Sequence, residues 1–181
     1  MTNDIASELA RLRTLQGADF VRQLKRIAFR KEFRSLDSDP CIYTVGGNLD
    51  ADYPSLVNAA RKAVEHGYRV YILPNPHDFR TADFIFERRG IFKLFDLKTI
   101  SGRNIVESRL MESIGQTNRV LLNITIDYNP ASLARSIKRY FERSNDALEV
   151  LIFKGKKMVS IDRGLTISPD YYSIFLRRYL R

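Results

Sequence analysis

The stretch ADFIFERRGIFKLFDLK, residues 82 to 98, decides the fold. Two runs rich in Phe and Ile, Ala82 to Glu87 and Phe92 to Leu97, flank Arg88-Arg89-Gly90, which predicts an antiparallel hairpin closed by a tight turn. Upstream, a β-rich run from Arg69 to Leu73 predicts a third strand. Before it, SLVNAARKAVEHG predicts a helix capped by Ser55, burying Leu56, Ala59, Ala60 and Ala63, and stopped by Gly67. Downstream, the pattern predicts a helix over 105–117, a strand RVLLNI and a helix over 130–143 started by Pro130. A strand over 148–153, a lysine-rich turn, a strand over 158–162 and a helix over 171–180 complete the chain. The resulting order, αβββαβαββα, is that of an α/β protein with a central mixed sheet flanked by helices. Apolar residues from Ile5 to Phe33 recur at close to 3-4 spacing with a break near Gly17, which predicts two helices or one bent helix. Residues 35–54, with Pro, paired Gly and four Asp, predict a linker carrying one edge strand. We therefore expect an N-terminal helical appendage and linker over 1–50 and one domain over 51–181.

The chain has 181 residues, 44% of them hydrophobic and 28% charged. That suits a domain of roughly 100 to 200 residues and excludes intrinsic disorder. A single cysteine, Cys41, excludes an internal disulfide framework and is read as buried packing. With only His66 and His77 beside it, no zinc site of finger spacing exists. The apolar runs are too short to span a bilayer, and MTNDIASELARL lacks the basic-then-apolar signal pattern. We expect no membrane partner and a cytoplasmic site of action, for a chain that is free or delivered as part of a larger secreted or phage-associated protein. The net charge of +9 lies mainly in the last two-thirds of the chain. It is compatible with nucleic acid as a partner, and equally with a solvated basic face. No P-loop, G-x-G-x-x-G, G-x-S-x-G or H-E-x-x-H string is present, which disfavours nucleotide-driven motors, dinucleotide enzymes, α/β-hydrolases and zincins.

The chemistry concentrates at the open end of the hairpin. Period 2 places Asp96 and Lys98 on one face of the second strand and Leu97 on the other. The start of the first strand lies beside the end of the second, so Asp83 is expected within reach of Asp96. Two carboxylates and a lysine suit metal-assisted phosphodiester hydrolysis. Hard Mg²⁺ (or Mn²⁺) takes oxygen ligands from one or two carboxylates plus substrate phosphate, with the Leu97 carbonyl as a further candidate. Lys98 would orient the attacking water or neutralise charge on the phosphate. An Asp and a Lys two apart on a strand more often form a surface ion pair worth roughly 0 to 1 kcal/mol. Here the apolar run IFKLF leading into Asp96 argues for a strand buried on at least one side, whose Asp needs a partner.

Asp83, the hairpin, Asp96-Leu97-Lys98, a helix ending in Gln116 and the apolar strand after it together resemble the PD-(D/E)XK, or restriction-endonuclease-like, nuclease superfamily. Its αβββαβ core order is matched over residues 55 to 124. Within it, the chain is similar to the C-terminal nuclease domains of CdiA-type contact-dependent growth-inhibition toxins, several of which cleave tRNA. Asp83-Phe84, Asp96-Leu97-Lys98-Thr99, Ser101-Gly102-Arg103-Asn104 and Gln116-Thr117-Asn118 carry that similarity. Thr81-Ala82 stand where the family name implies a proline, and residues 1 to 50 lie outside the resemblance. It implies a metal-dependent nuclease with Asp83, Asp96 and Glu65 on the metal and Lys98 as the catalytic lysine. It implies RNA, tRNA in particular, ahead of DNA as substrate, and a cognate immunity protein as partner.

Further candidates carry two readings each. Ser101 and Arg103 open a helix whose free N–H groups suit a phosphate, or form an ordinary cap. Thr99 is a substrate contact by the resemblance. Gln116 hydrogen-bonds the catalytic lysine or nucleic acid, or is solvated. Arg135, Lys138, Arg139 and Arg143, with Tyr140 and Phe141 beside them, form a phosphate-tracking ridge or a plain polar helix face. Lys154, Lys156 and Lys157 form a basic hairpin tip. His77 is a general acid or base, or a loop residue without a role. The contrasting class of function is a non-catalytic nucleic-acid-binding or assembly module, which needs no divalent metal.

Overall fold

A computed structural model describes residues 4–46, 51–76 and 78–181; His77 lies outside the described residues. Contacts divide the chain into two compact units, Met1–Phe95 and Asp96–Arg181, so the division falls inside a strand and not at the expected 50/51 boundary.

In the first unit, the N-terminal residues form α1 (Ile5–Arg11), a short 3₁₀ turn (Leu12–Thr14) and α2 (Gly17–Ala28). The break expected at Gly17 is present, and Gly17 takes the left-handed φ of 56° that starts α2 after the turn. These helices are not an appendage. Leu9, Leu12, Leu24, Ile27 and Ala28 are buried in one cluster with Tyr71, Leu73, Ile85 and Leu94. Their 3-4 stripe leaves an apolar face that the sheet covers.

The linker carries two strands, β1 (Arg34–Ser35) and β2 (Ile42–Thr44), where one edge strand was expected. β1 is the edge, and β2 pairs in parallel with β3 (Arg69–Ile72). Cys41 is half-buried rather than packed inside. Helix α3 (Tyr53–Glu65) starts ahead of the expected Ser55, with Asp52 at its N-cap position and Pro54 in its first turn, where a missing N–H costs nothing. Val57 replaces the expected Leu56 on the buried face beside Ala59, Ala60 and Ala63. At its end Gly67 (φ 82°) closes the helix: its N–H donates to Val64 at 2.9 Å, and the Tyr68 N–H to Ala63 at 3.1 Å.

β3 pairs antiparallel with β4 (Phe84–Arg88), and β4 with the first half of β5 (Ile91–Ile100). The predicted hairpin is therefore present, with a loop of only Arg89 and Gly90. Their φ values of 54° and 78° are the left-handed pair that a two-residue hairpin loop demands.

In the second unit, residues Asp96 to Ile100 of β5 pair in parallel with β6 (Arg119–Ile124), β6 in parallel with β7 (Glu149–Lys154), and β7 antiparallel with β8 (Lys157–Asp162). Helices α4 (Val106–Met111), α5 (Pro130–Arg143), α6 (Arg163–Ile167) and α7 (Tyr171–Leu180) complete it; α6 was not anticipated. Over 53–124 the order is αβββαβ, and both units hold mixed strands with helices, as expected of an α/β protein. One face of the second unit's strands (Val120, Leu122, Val150, Ile152, Ile161) is buried in a cluster with Leu110 of α4, Leu133, Ile137 and Tyr140 of α5, and Phe175 of α7. At roughly 1.5–3 kcal/mol for each large apolar side chain fully buried, this stripe-on-sheet packing is the main force holding the unit.

Among the described residues, no helix is long and apolar enough to cross a membrane.

Candidate active site

Register fixes where the polar residues of β5 stand. Asp96 pairs with Val120 and Lys98 with Leu122, so both side chains project from the face that α4, α5 and α7 cover. Both are buried, with Asp96 at 4% exposure and Lys98 at 8%. The Lys98 Nζ lies 2.9 Å from Asp96 Oδ2. The same oxygen accepts a hydrogen bond from the Ser113 hydroxyl at 2.8 Å. Ser113, fully buried, was not anticipated. The predicted helix over 105–117 ends instead at Met111, because the N–H groups of Ser113 and Ile114 turn to the carbonyls three residues back, at 3.1 and 3.2 Å. Gly115, at φ 84°, follows the tightened turn.

A buried charge pair is stable when further hydrogen bonds satisfy the remaining lone pairs and protons. Here Ser113 and Lys98 both use Oδ2, and Oδ1 takes neither contact. Among the described residues the contact made by the Lys98 ammonium is with Asp96, so two of its three N–H donors are open to water or to a ligand. Oxygen-seeking divalent cations fit such a donor set, since Mg²⁺ binds through one or two carboxylates and keeps waters and phosphate oxygens for the rest. Among the described residues no group of three or more His, Cys, Asp or Glu gathers as a metal cage.

The Tyr140 hydroxyl stands over the same face. Burial, and next the charge of Asp96, push its pKa up to about 12.

The other predicted site residues are placed as follows. Asp83, in the first unit, is half-buried and held through its backbone: its N–H donates to Phe95 at 3.0 Å and its carbonyl accepts from Leu73 at 2.8 Å. Glu65 is exposed on the last turn of α3, off the buried face, and its charge is felt by Lys62. Thr99 is half-buried and, by the alternation of β5, faces away from Asp96 and Lys98. Gln116 does not meet Lys98: its amide donates to the Glu112 carbonyl at 2.7 Å, a bond within its own turn. Ser101 is exposed, and Arg103 lines a cavity of about 400 Å³ with Asn104, Asp127, Tyr128, Asn129 and Pro130.

On α5 the expected ridge is partly spent on protein contacts. Arg139 pairs with Glu107 at 2.9 Å, the Lys138 ammonium sits 5.5 Å from the Tyr172 ring centre, and Arg135 bonds the Ser132 hydroxyl at 3.2 Å. Tyr140 and Phe141 do not flank the ridge; they are buried in the core, on the stripe Leu133, Ile137, Tyr140 opposite Arg135 and Arg139. Lys157 donates to the carbonyl of Leu180 at 3.0 Å at the C-terminal end of α7, and Lys154 stacks on Tyr179 at 4.5 Å. Lys156 at the same tip is exposed.

The fold and site together define an α/β protein with a buried Asp–Lys pair on a helix-covered strand. No protein-family model and no curated protein matches the chain. Among solved structures, the chain is similar to a chain of a CdiA-CT/CdiI toxin and immunity complex from Burkholderia pseudomallei. The identity is 14% and the TM-score 0.48, over 67% of this chain and 98% of that one.

Proposed function

We propose that this protein is a metal-dependent nuclease hydrolysing phosphodiester bonds, acting on RNA, and tRNA in particular, ahead of DNA. The observation that supports it is the buried Lys98 with one of its three donors used, against an Asp96 carboxylate with one of its two oxygens used. A buried ion pair repays its desolvation only when further hydrogen bonds satisfy the remaining lone pairs and protons, and donors and an acceptor left open on a strand of an αβββαβ order support a phosphodiester ligand there. Ser113 holds the Asp96 carboxylate in one orientation. Asp96 Oδ1 is the oxygen for Mg²⁺ or Mn²⁺, with Asp83 and Glu65 as further carboxylates to be tested by substitution. A divalent cation bound there would supply Lewis acidity at the phosphoryl oxygen. Lys98 donates to the attacking water or to a phosphate oxygen and offsets the charge that develops there. The exposed Arg103, Arg135 and Arg143 and Lys156 supply phosphate contacts whose strength falls with salt. The sequence resemblance to toxin nuclease domains adds that the protein is a toxin domain with a cognate immunity protein.

The test is a digest of total RNA and of duplex DNA by purified protein in Mg²⁺, in Mn²⁺ and in EDTA. Metal-dependent cleavage, with RNA cut faster than DNA, is expected. Binding of either polymer without cleavage of any would replace this reading by a non-catalytic binding module, and a change in band pattern equal in EDTA would remove the metal from it.

A further inference from the structure

The second unit buries three tyrosines completely or nearly so: Tyr140, Tyr171 and Tyr179. Tyr171 donates its hydroxyl to the Ala134 carbonyl at 2.8 Å, as a buried phenol should. The hydroxyls of Tyr140 and Tyr179 are occluded and meet no partner among the described residues. Buried donors of this kind are rare, and each calls for a bound water, an ion or a functional role as its explanation. For Tyr140 the surroundings narrow the choice. It sits on the α5 stripe that packs on Val120 and Val150, the residues aligned with Asp96 across β5, β6 and β7. The other charge that acts on it is Arg163, whose guanidinium is committed to the carbonyls of Phe141, Ser144 and Ala147. Among the described residues the buried carboxylate on that side of the core is Asp96, whose Oδ2 takes both the Ser113 and the Lys98 contact.

We infer that Tyr140 is a positioning residue of the Asp96–Lys98 site, its hydroxyl holding a water that it shares with Asp96 Oδ1. The phenol donates to the water and the water donates to the carboxylate, which satisfies the buried donor and the open acceptor at once. Tyr140 thereby takes one lone pair of Oδ1 and leaves the other to the cation of the proposed site. The role in catalysis rests on the nuclease reading; the coupling of Tyr140 to Asp96 does not.

The experiment is a double-substitution cycle on the full chain, with Tyr140→Phe and Asp96→Asn, read by thermal unfolding and by cleavage. Tyr140→Phe removes one oxygen and fills the same space. It is expected to lower the unfolding midpoint by on the order of 2–4 °C in the wild-type background, and by clearly less beside Asp96→Asn. In cleavage it is expected to lower kcat by on the order of tenfold with KM unchanged, a split that loss of packing alone does not produce. A midpoint that rises, or that shifts equally in both backgrounds, overturns the inference, because the phenol is then a buried group unconnected to Asp96. Coupling in stability from a wild type that cleaves neither RNA nor DNA would uphold Tyr140 and remove the nuclease reading. Cleavage without coupling would do the reverse.

Discussion

Replacing Ser113 with Ala removes a single hydroxyl from a fully buried position and leaves no cavity of consequence. The lost bond, 2.8 Å to Asp96 Oδ2, is to an acceptor only 4% exposed. A hydrogen bond to a charged group contributes about 1.5–3 kcal/mol. Lys98 still holds the same oxygen, so the lower half of that range applies, about 1.5–2 kcal/mol. In a chain of this length each kcal/mol moves the midpoint by about 2–4 °C, which gives a fall of about 3–8 °C by near-ultraviolet circular dichroism. The control is Ser132→Ala, whose hydroxyl among the described residues meets the exposed Arg135 and whose loss should stay within about 0.5 kcal/mol. A Ser113→Ala midpoint indistinguishable from that control would refute the picture of a carboxylate held in place from two sides.

Lys98→Met leaves the Asp96 charge buried and is expected to cost about 3 kcal/mol or more, whereas Lys98→Met with Asp96→Asn should recover most of that loss in urea unfolding. Arg163→Met deletes the donors to the Phe141, Ser144 and Ala147 carbonyls and should destabilise by about 3 kcal/mol by the same measurement. Arg89→Gly should stabilise the β4–β5 hairpin by up to about 1 kcal/mol, since Arg89 sits at a φ of 54° that glycine adopts freely, while Gly90→Ala should cost a similar amount. Burial raises the phenol pKa of Tyr140 and Tyr179 to about 12, against an unfolded value of about 10, and raises that of Tyr171 as well. Folding thus favours the protonated phenols: their contribution is intact below about pH 10 and is lost as pH rises from there through 12. Phenolate absorbance should show these three ionising only with alkaline unfolding.

The hairpin was legible because its signals are local. The apolar runs Phe84-Ile85-Phe86 and Phe92 to Leu97 and an Arg-Gly turn settle pairing between neighbours in the chain. Alternation also put Asp96 and Lys98 on one face. What the sequence hid depends on partners far along the chain. That residues 96–100 leave β4 and pair in parallel with β6 is decided by which strand buries Val120 and Leu122 against α5, and no local pattern encodes that choice. Ser113 was missed because Val106, Leu110 and Ile114 continue a helical spacing past the point where the backbone tightens; Gly115 was the available warning. Tyr140 was grouped with the basic ridge although Leu133, Ile137 and Tyr140, at i, i+4 and i+7, already formed an inward stripe. The N-terminal helices were taken for an appendage for a related reason: their apolar stripe showed that they need a cover, and only the fold shows that β3, β4 and the first half of β5 provide it.

The central claim, that Asp96 and Lys98 are catalytic and not a buried structural pair, is tested most directly by single-turnover cleavage of RNA in Mg²⁺ by wild type, Asp96→Asn and Lys98→Met, each shown to be folded. Asp96→Asn keeps an oxygen for Ser113 and should retain the fold while cleaving about 100-fold slower or worse, and Lys98→Met should fall as far while still binding RNA. Folded variants that cleave at the wild-type rate would contradict the account.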